Sequence, residues 1–430
     1  MRSSFASVAL VCATVVATAA ILTVAGPLSP PAGPVSSTHK TLSQVEPRLA
    51  VSPGTTPGDA ASLYRISQPG SYYLTGNISV PPGLNGITIL ADDVTIDLGG
   101  FVISSPVATG AGIISAGSAQ RAAVHDGRVT GFGTAIDLLT APACRVERVS
   151  VAVGAGASHG IRVGTGALVM ACEATASGSL GDGIVATSGA RVIDCTVSGA
   201  GGDGIRVGAG GTVAGCSAVS NGQVGFNLGA GFSASATNCI AYLNGSDGFI
   251  LGGSSSATAC TSRGNLSNGF GAGNGSAIVG CTARDNDLNG FLLSGGSTIE
   301  SSAAYDNGTN GISAGVGTVI RGCAASNNGS DGIVFSDGCL VIENTCRGNG
   351  TGGTFAGVHA TGTDNRIEGN ACSLNDRGVD VDAAGNFIAR NTCSGNPTAN
   401  FSLTGVQTVG PIIVATGTIA STNPWANFEH

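Results

Sequence analysis

Lysine is almost missing from this chain: a single Lys, Lys40, stands beside 17 Arg in 430 residues, and the net charge is −8. Charged residues make up 10% of the sequence, against about 25% in an ordinary soluble domain. No basic stripe exists to follow a phosphate backbone, which argues against nucleic acid as a partner. Aromatic residues are equally scarce, at 4% with one Trp. A core must therefore be filled by Val, Ile, Ala, Thr and Cys, which suit stacked strands and not a helical bundle. There is no CxxC pair and the five His are scattered, so a zinc site has no support. Beyond the N-terminal segment no run of eighteen apolar residues occurs, and the remainder is expected to be soluble.

The N-terminus carries a targeting pattern. Met1-Arg2-Ser3-Ser4 supplies one positive charge, Val8 to Ala25 is an apolar run, and the breaker-rich segment from Gly26-Pro27 to Ser37 follows. This predicts a secretory signal at 1–25 and a linker at 26–40, with cleavage after Ala19 or Ala25. The run is also long enough to stay as an anchor. The mature protein is expected to be secreted, periplasmic or at the cell surface.

What is abundant is glycine, with 71 residues, and it recurs with a period. Eleven cysteines set that period: Cys144, Cys172, Cys195, Cys216, Cys239, Cys260, Cys281, Cys323, Cys346, Cys372 and Cys393, most of them 21 or 23 residues apart. The one gap of 42 has Ser302 at its midpoint. A second column of Gly-Ile or Gly-Phe pairs runs from Gly160-Ile161 to Gly378-Val379, and from Cys195 to Cys323 its Gly lies nine residues after the Cys position. A third column, five residues after it, holds Asn221, Asn244, Asn265, Asn286, Asn307 and Asn328.

A unit of this length is too short for a helix pair or a propeller blade, but it fits one rung of a coil made of three short strands and turns. Rungs stacked about 4.8 Å apart place equal positions above one another, so each column becomes a ladder of side chains. The expected fold is all-β: a right-handed, single-stranded parallel β-helix of about fourteen rungs over 85–399, with an N-terminal cap at 41–84 and a C-terminal cap at 400–430. Trp425 is expected to close the C-terminal end. Asp or Asn before Gly, as in Asp247-Gly248 and Asn268-Gly269, is read as the turn that needs positive φ. Twelve Cys beyond the signal would ordinarily mean disulfides. Parallel side chains in a ladder suit a bridge poorly, so these are read as buried thiols, while Cys339, off the ladder, is left free or bridged.

These Gly/Asn/Cys-punctuated rungs resemble the right-handed parallel β-helix repeat proteins of the pectin-lyase-like superfamily over about residues 60–400. Glu46-Pro47-Arg48, Gln68-Pro69-Gly70-Ser71-Tyr72-Tyr73-Leu74 and Val94-Thr95-Ile96-Asp97-Leu98-Gly99-Gly100-Phe101 also resemble the start of exported, planctomycete-type β-helix proteins. The resemblance implies export and fold more than activity.

Two surfaces emerge as candidate sites. Aligning Gly357 with Gly378 places His359 beside Asp380 and Thr361 beside Asp382, with Arg377 and Arg390 near in sequence; alternation with Val379 and Val381 turns both aspartates outward. The resemblance implies what such a patch would do, since lyases of the superfamily use carboxylate-held Ca²⁺ and an Arg base. The catalytic candidates are thus His359, Asp380 and Asp382, with Ca²⁺ as the cofactor only in the lyase case and no metal site otherwise assigned. The string Ser158-His159-Gly160-Ile161-Arg162-Val163-Gly164 looks like the His strand of polygalacturonases, but the preceding rungs supply only Asp126 and Asp137, singly, where two carboxylates are required.

The binding candidates lie three residues after the Cys column: Tyr242, Arg263, Arg284 and Tyr305, an outward stripe on four consecutive rungs flanked by Asp285 and Asp306. Rings and guanidinium groups suit a polysaccharide or cell-surface glycan, especially one carrying uronates. The sequence is therefore read as an exported β-helix surface protein, structural or carbohydrate-binding, with a polysaccharide lyase or glycoside hydrolase as the alternative.

Overall fold

The computed structural model describes residues 47–430 except 118, 155, 157–158, 177–180, 230, 351 and 420. The signal and linker expected at 1–40 lie outside the described residues, as does Ser158. Among the described residues every regular element is a strand, and no helix is long and apolar enough to cross a membrane. From Leu49 to His430 the chain forms one compact unit.

The strands form three faces. Face I runs from Leu49–Ala50 through strands such as Thr298–Glu300 to Thr408–Val409; face II includes Ile240–Tyr242 and Thr282–Arg284; face III runs from Ser62–Ile66 to Ala399–Leu403. Every pairing within a face is parallel, as in Phe249↔Phe270 and Tyr242↔Arg263. Faces I and II are continuous through two long strands, Ala123–Thr130 and Arg145–Val153, which turn the corner without a break. Face III holds sixteen strands. That is two more than the sequence count, because Ser62–Ile66 and Ala399–Leu403 extend the same ladder.

Columns of like residues fill the inside. On face III, Ile161, Ile184 and Ile205 lead into Phe226, Phe249, Phe270 and Phe291 and back to Ile312, all fully buried. The four rings stack with centroids 4.7, 4.6 and 5.0 Å apart and planes within 12°. Face II narrows beside the rings: Val197 precedes Ile205, whereas Ala218, Ala241, Ser262 and Ala283 precede the four Phe.

The corners explain the polar columns and correct the turn assignment. The Gly of Asp247-Gly248 and its equivalents is not among the positive-φ residues; those lie at the corners, one residue before each ladder side chain. Between faces I and II they are Asp194, Gly215, Asn238, Ala259, Gly280, Ser301, Gly322 and Glu343, with φ between 50° and 64°. The Gly column has a different cause. A Cβ on Gly269 would lie 2.5 Å from the Gly290 carbonyl oxygen and 2.9 Å from Asn286 Nδ2, so only hydrogen fits.

The cysteine column proves to be three. Cys172 to Cys281, Ser302 and Cys323 follow the left-handed residues at the corner between faces I and II, and Asn344 continues that ladder. Each member accepts the backbone N–H of the rung before it: Cys195 N–H donates to Cys216 Sγ at 3.3 Å, Cys281 N–H to Ser302 Oγ at 3.2 Å and Cys323 N–H to Asn344 Oδ1 at 2.8 Å. Ser302 therefore replaces a thiol as acceptor, not merely as a small side chain. Cys346, Cys372 and Cys393 sit two residues later, inside face II, stacked on Ala325. Cys144 and Cys339 belong to the corner between faces III and I. All twelve described cysteines are buried free thiols, Cys339 included, and burial pushes Cys144 and Cys323 up to about 11.

The asparagine column forms the third corner and extends past Asn328 through Asn349, Asn375 and Asn396, all buried. From Asn221 to Asn375 each backbone N–H and each Nδ2 donates to Oδ1 of the next rung, as from Asn221 to Asn244 at 3.1 and 2.9 Å. At the C-terminal end Trp425 does not plug the core. Its ring meets the edge of Phe387 at 5.8 Å on the outer side of face I, and the residue is 42% exposed.

Candidate functional site

The His359 cluster is built on adjacent face III strands, Ala356–Ala360 and Arg377–Val381, whose register pairs His359 with Asp380. A third carboxylate, Asp331, comes from the column before Gly332. His359 Nδ1 lies 3.1 Å from Asp331 Oδ2 and its Nε2 lies 3.1 Å from Asp382 Oδ2. Asp382 is exposed as expected, but Asp380 is not: although its side chain is on the outer side, it is 2% exposed, because Arg377 closes over it with NH1 2.5 Å from Oδ2. Arg390 is absent from this site. It lies at the corner of faces I and II, bonded to Glu368 and stacked on Trp425.

Burial pulls the His359 imidazolium down, but the hydrogen bond and charge of Asp331, the hydrogen bond to Asp382 and the charge of Asp380 outweigh it, raising the group to about 9. At neutral pH the ring is therefore charged, with both N–H groups donated to carboxylates. One imidazole and two carboxylate atoms, of His359, Asp380 and Asp382, fall within 4.8 Å of one another. They do not fit Ca²⁺, which takes six or more oxygens, since an imidazolium and a guanidinium already hold the carboxylates. A similar group, Asp97, His125 and Asp126, is closed by Arg148, whose Nε and NH2 lie 2.6 and 2.9 Å from Asp126.

A second face III cluster was missed in the sequence. His159 finds its carboxylates in the following rungs, not the preceding ones: His159 pairs with Asp182, and Asp203 N–H donates to Asp182 Oδ1 at 2.8 Å. Arg206 NH2 lies 2.9 Å from Asp203 and 3.4 Å from Asp182, while Arg162 reaches Asp137 at 3.0 Å. Asp182 N–H donates to His159 Nδ1 at 3.3 Å, which fixes the proton of the neutral ring on Nε2. Burial lowers His159 and raises Asp182. The signal was available, because aligning Gly160, Gly183 and Gly204 stacks His159, Asp182 and Asp203.

The face II stripe stands as the period places it. Tyr242, Arg263, Arg284 and Tyr305 are register partners on four successive strands. Arg263 lies over the Tyr242 ring at 5.9 Å and Arg284 over the Tyr305 ring at 4.9 Å. Asp285 sits between the arginines, 3.2 Å from Arg263 Nε and 3.0 Å from Arg284 Nε, and Asp306 is 3.8 Å from Arg284 NH2. Half of the Arg263 side chain stays exposed. The stripe is thus a rigid, locally charge-balanced row and not a strongly positive patch.

The family described as "Right handed beta helix region" matches residues 159–302 and 268–423, together more than half of the chain. No curated protein matches. Among solved structures, the mannuronan C-5 epimerase AlgE6 A-module of Azotobacter vinelandii is similar at 15% identity, covering 84% of this chain and 89% of its own, with TM-score 0.38. A tailspike protein mutant of E. coli bacteriophage HK620, in complex with a pentasaccharide, is similar at 12% identity over 80% and 71%, with TM-score 0.39. A mutant of the periplasmic alginate epimerase AlgG is similar at 12% identity over 83% and 81%, with TM-score 0.27. At these identities the likeness is one of fold.

Proposed function

Because the chain belongs to the right-handed β-helix family, we propose that it is an exported rod that holds an extended polysaccharide along face II without cleaving it. One observation carries this reading: ring, guanidinium, guanidinium and ring occupy four consecutive rungs in register. Their spacing of about 4.8 Å approaches that of successive sugars in an extended chain. Tyr242 and Tyr305 offer stacking surfaces, and Arg263 has exposed guanidinium for a sugar carboxylate. Export rests on the charge, apolar run and breakers of residues 1–37.

Catalysis at His359, Asp380 and Asp382 is disfavoured by the same geometry that joins them. A charged His359 with both N–H groups committed cannot accept a proton, and Asp380 is sealed beneath Arg377. The alternative, chemistry on a glycan held against face III, is favoured instead by the lowered His159 beside the raised Asp182 under the Arg206 clamp, two groups of opposite shift.

Retention on immobilised polygalacturonate tests the binding reading, with new reducing or unsaturated ends measured in parallel. Weaker retention in Tyr242→Ala and Arg263→Ala, with no new ends, is the expected result. Ends that appear with the native chain and vanish in Asp182→Asn would replace it with the enzymatic reading.

A further inference from the structure

On face I, two rungs beyond the strand Thr298–Glu300, the outer surface sinks into a groove of about 490 Å³, within the size range of small-molecule sites. Its floor is Leu340 and Ile342, and its walls carry Arg321, Arg366 and Arg390 against Glu343 and Glu368. In a chain of net charge −8, three guanidinium groups against two carboxylates leave this lining with one cation in excess.

Two of these cations are fixed in place. Arg366 and Arg390 both hold Glu368, at 2.5 and 3.0 Å. Each also lies on an aromatic face, Arg366 over Phe387 at 4.8 Å and Arg390 over Trp425 at 4.5 Å. Phe387 and Trp425 in turn line a second hollow of about 240 Å³ that continues the groove along the rod. Arg321 is different: it is exposed, and among the described residues no carboxylate lies within ion-pair distance of it. Its rung neighbours in the same outward column are Glu300 and Ile342.

We propose that this face I groove is a second glycan site, taking a carboxylate-bearing sugar of an acidic oligosaccharide. Arg321 supplies the uncommitted cation for the carboxylate. Leu340 and Ile342 supply the apolar floor for the ring, and the stacked pair Arg366 and Arg390 shapes the wall without having to reorganise. The site shares its ligand class with the face II reading but none of its residues. A rod carrying both would bridge two chains of the same polysaccharide.

Trp425 is the only Trp in the sequence, and its contact with Arg390 makes its fluorescence a reporter of this groove and not of the stripe. The full chain is titrated with tetragalacturonate, with maltotetraose and sodium sulfate as comparators, following Trp emission and, in parallel, heat. The expected result is a saturable response to tetragalacturonate alone that weakens by about tenfold in Arg321→Ala, the loss of one charge-assisted contact, and is unchanged in Tyr242→Ala. Neither emission change nor heat in the Tyr242→Ala chain, an equal response to sulfate, or an Arg321→Ala chain that binds as the native one does would each overturn the proposal. Weakened polygalacturonate retention in Tyr242→Ala with the Trp425 response intact would separate the two sites.

Discussion

Replacing Asn244 by Ala tests the corner ladder most sharply, because its neighbours differ in what they keep. Asn244 Oδ1 accepts both Asn221 N–H and Asn221 Nδ2. Asn221 is 2% exposed, and its Nδ2 has no second acceptor among the described residues. The substitution therefore strands two buried donors at about 1–3 kcal/mol each, a loss of roughly 2–6 kcal/mol. Asn328→Ala removes the same kind of acceptor from Asn307 N–H and Nδ2, but Asn307 Nδ2 still reaches the Ala283 carbonyl at 3.2 Å. One donor is stranded, and the loss should be about half as large, on the order of 1–3 kcal/mol. Urea denaturation followed by far-UV circular dichroism gives the two losses, and hydrogen exchange at Asn221 and Asn307 locates them. Equal losses, or a larger one at Asn328, would refute the reasoning that the ladder stabilises by satisfying buried amides.

Phe270 has a stacked ring on each side, so Phe270→Ala should cost about 3–5 kcal/mol and lower the melting temperature more than Phe335→Ala, whose ring has no such stack. His359 is raised from 6.5 to about 9; its contribution to stability is full below pH 6.5 and disappears as pH rises through about 9. His359→Gln should accordingly flatten the decline of the native midpoint between those two values, and an unchanged decline would assign it to another group. The twelve described thiols are buried and unbridged, so a thiol reagent should label them only on unfolding, and reductant should leave the melting temperature unmoved.

Most of the architecture was legible because a parallel coil translates sequence period directly into spatial column. Phe226 to Phe291 and Tyr242 to Tyr305 are placed by counting alone. Counting failed where chemistry changed within a column. Asn344 took over the acceptor role of Cys323, while Cys346 appeared two residues later in a different column, so a run of identical letters crossed from one ladder to another. Backbone conformation was equally opaque: Leu243 adopts φ of 55° at a corner, a conformation that composition does not signal. The His159 cluster is not legible from the rungs before it, because the coil delivers Asp182 and Asp203 singly and in later rungs. Burial of Asp380 depended on where Arg377 folds over it, which alternation alone cannot supply.

The ladders of Cys216 and of Asn221 point one way, each rung donating to the one after it, while the column before Gly runs back, as from Asn289 N–H to Asn268 Oδ1 at 3.2 Å, and the forward ladders give the rod a grammar of completion. A rung is not finished when its own residues are laid down; its N–H groups wait for an acceptor that the ribosome has yet to make. At the corner of faces I and II the last such acceptor is Asn427, which receives Asn391 N–H and Nδ2 at 3.0 and 3.1 Å across 36 residues. The segment between adds one more rung, and after Thr408–Val409 the chain leaves the coil and returns, so the strand Asn427–Glu429 works as a clasp at the end of a zip. Interrupting translation anywhere upstream leaves an open end, and only the returning clasp closes that corner.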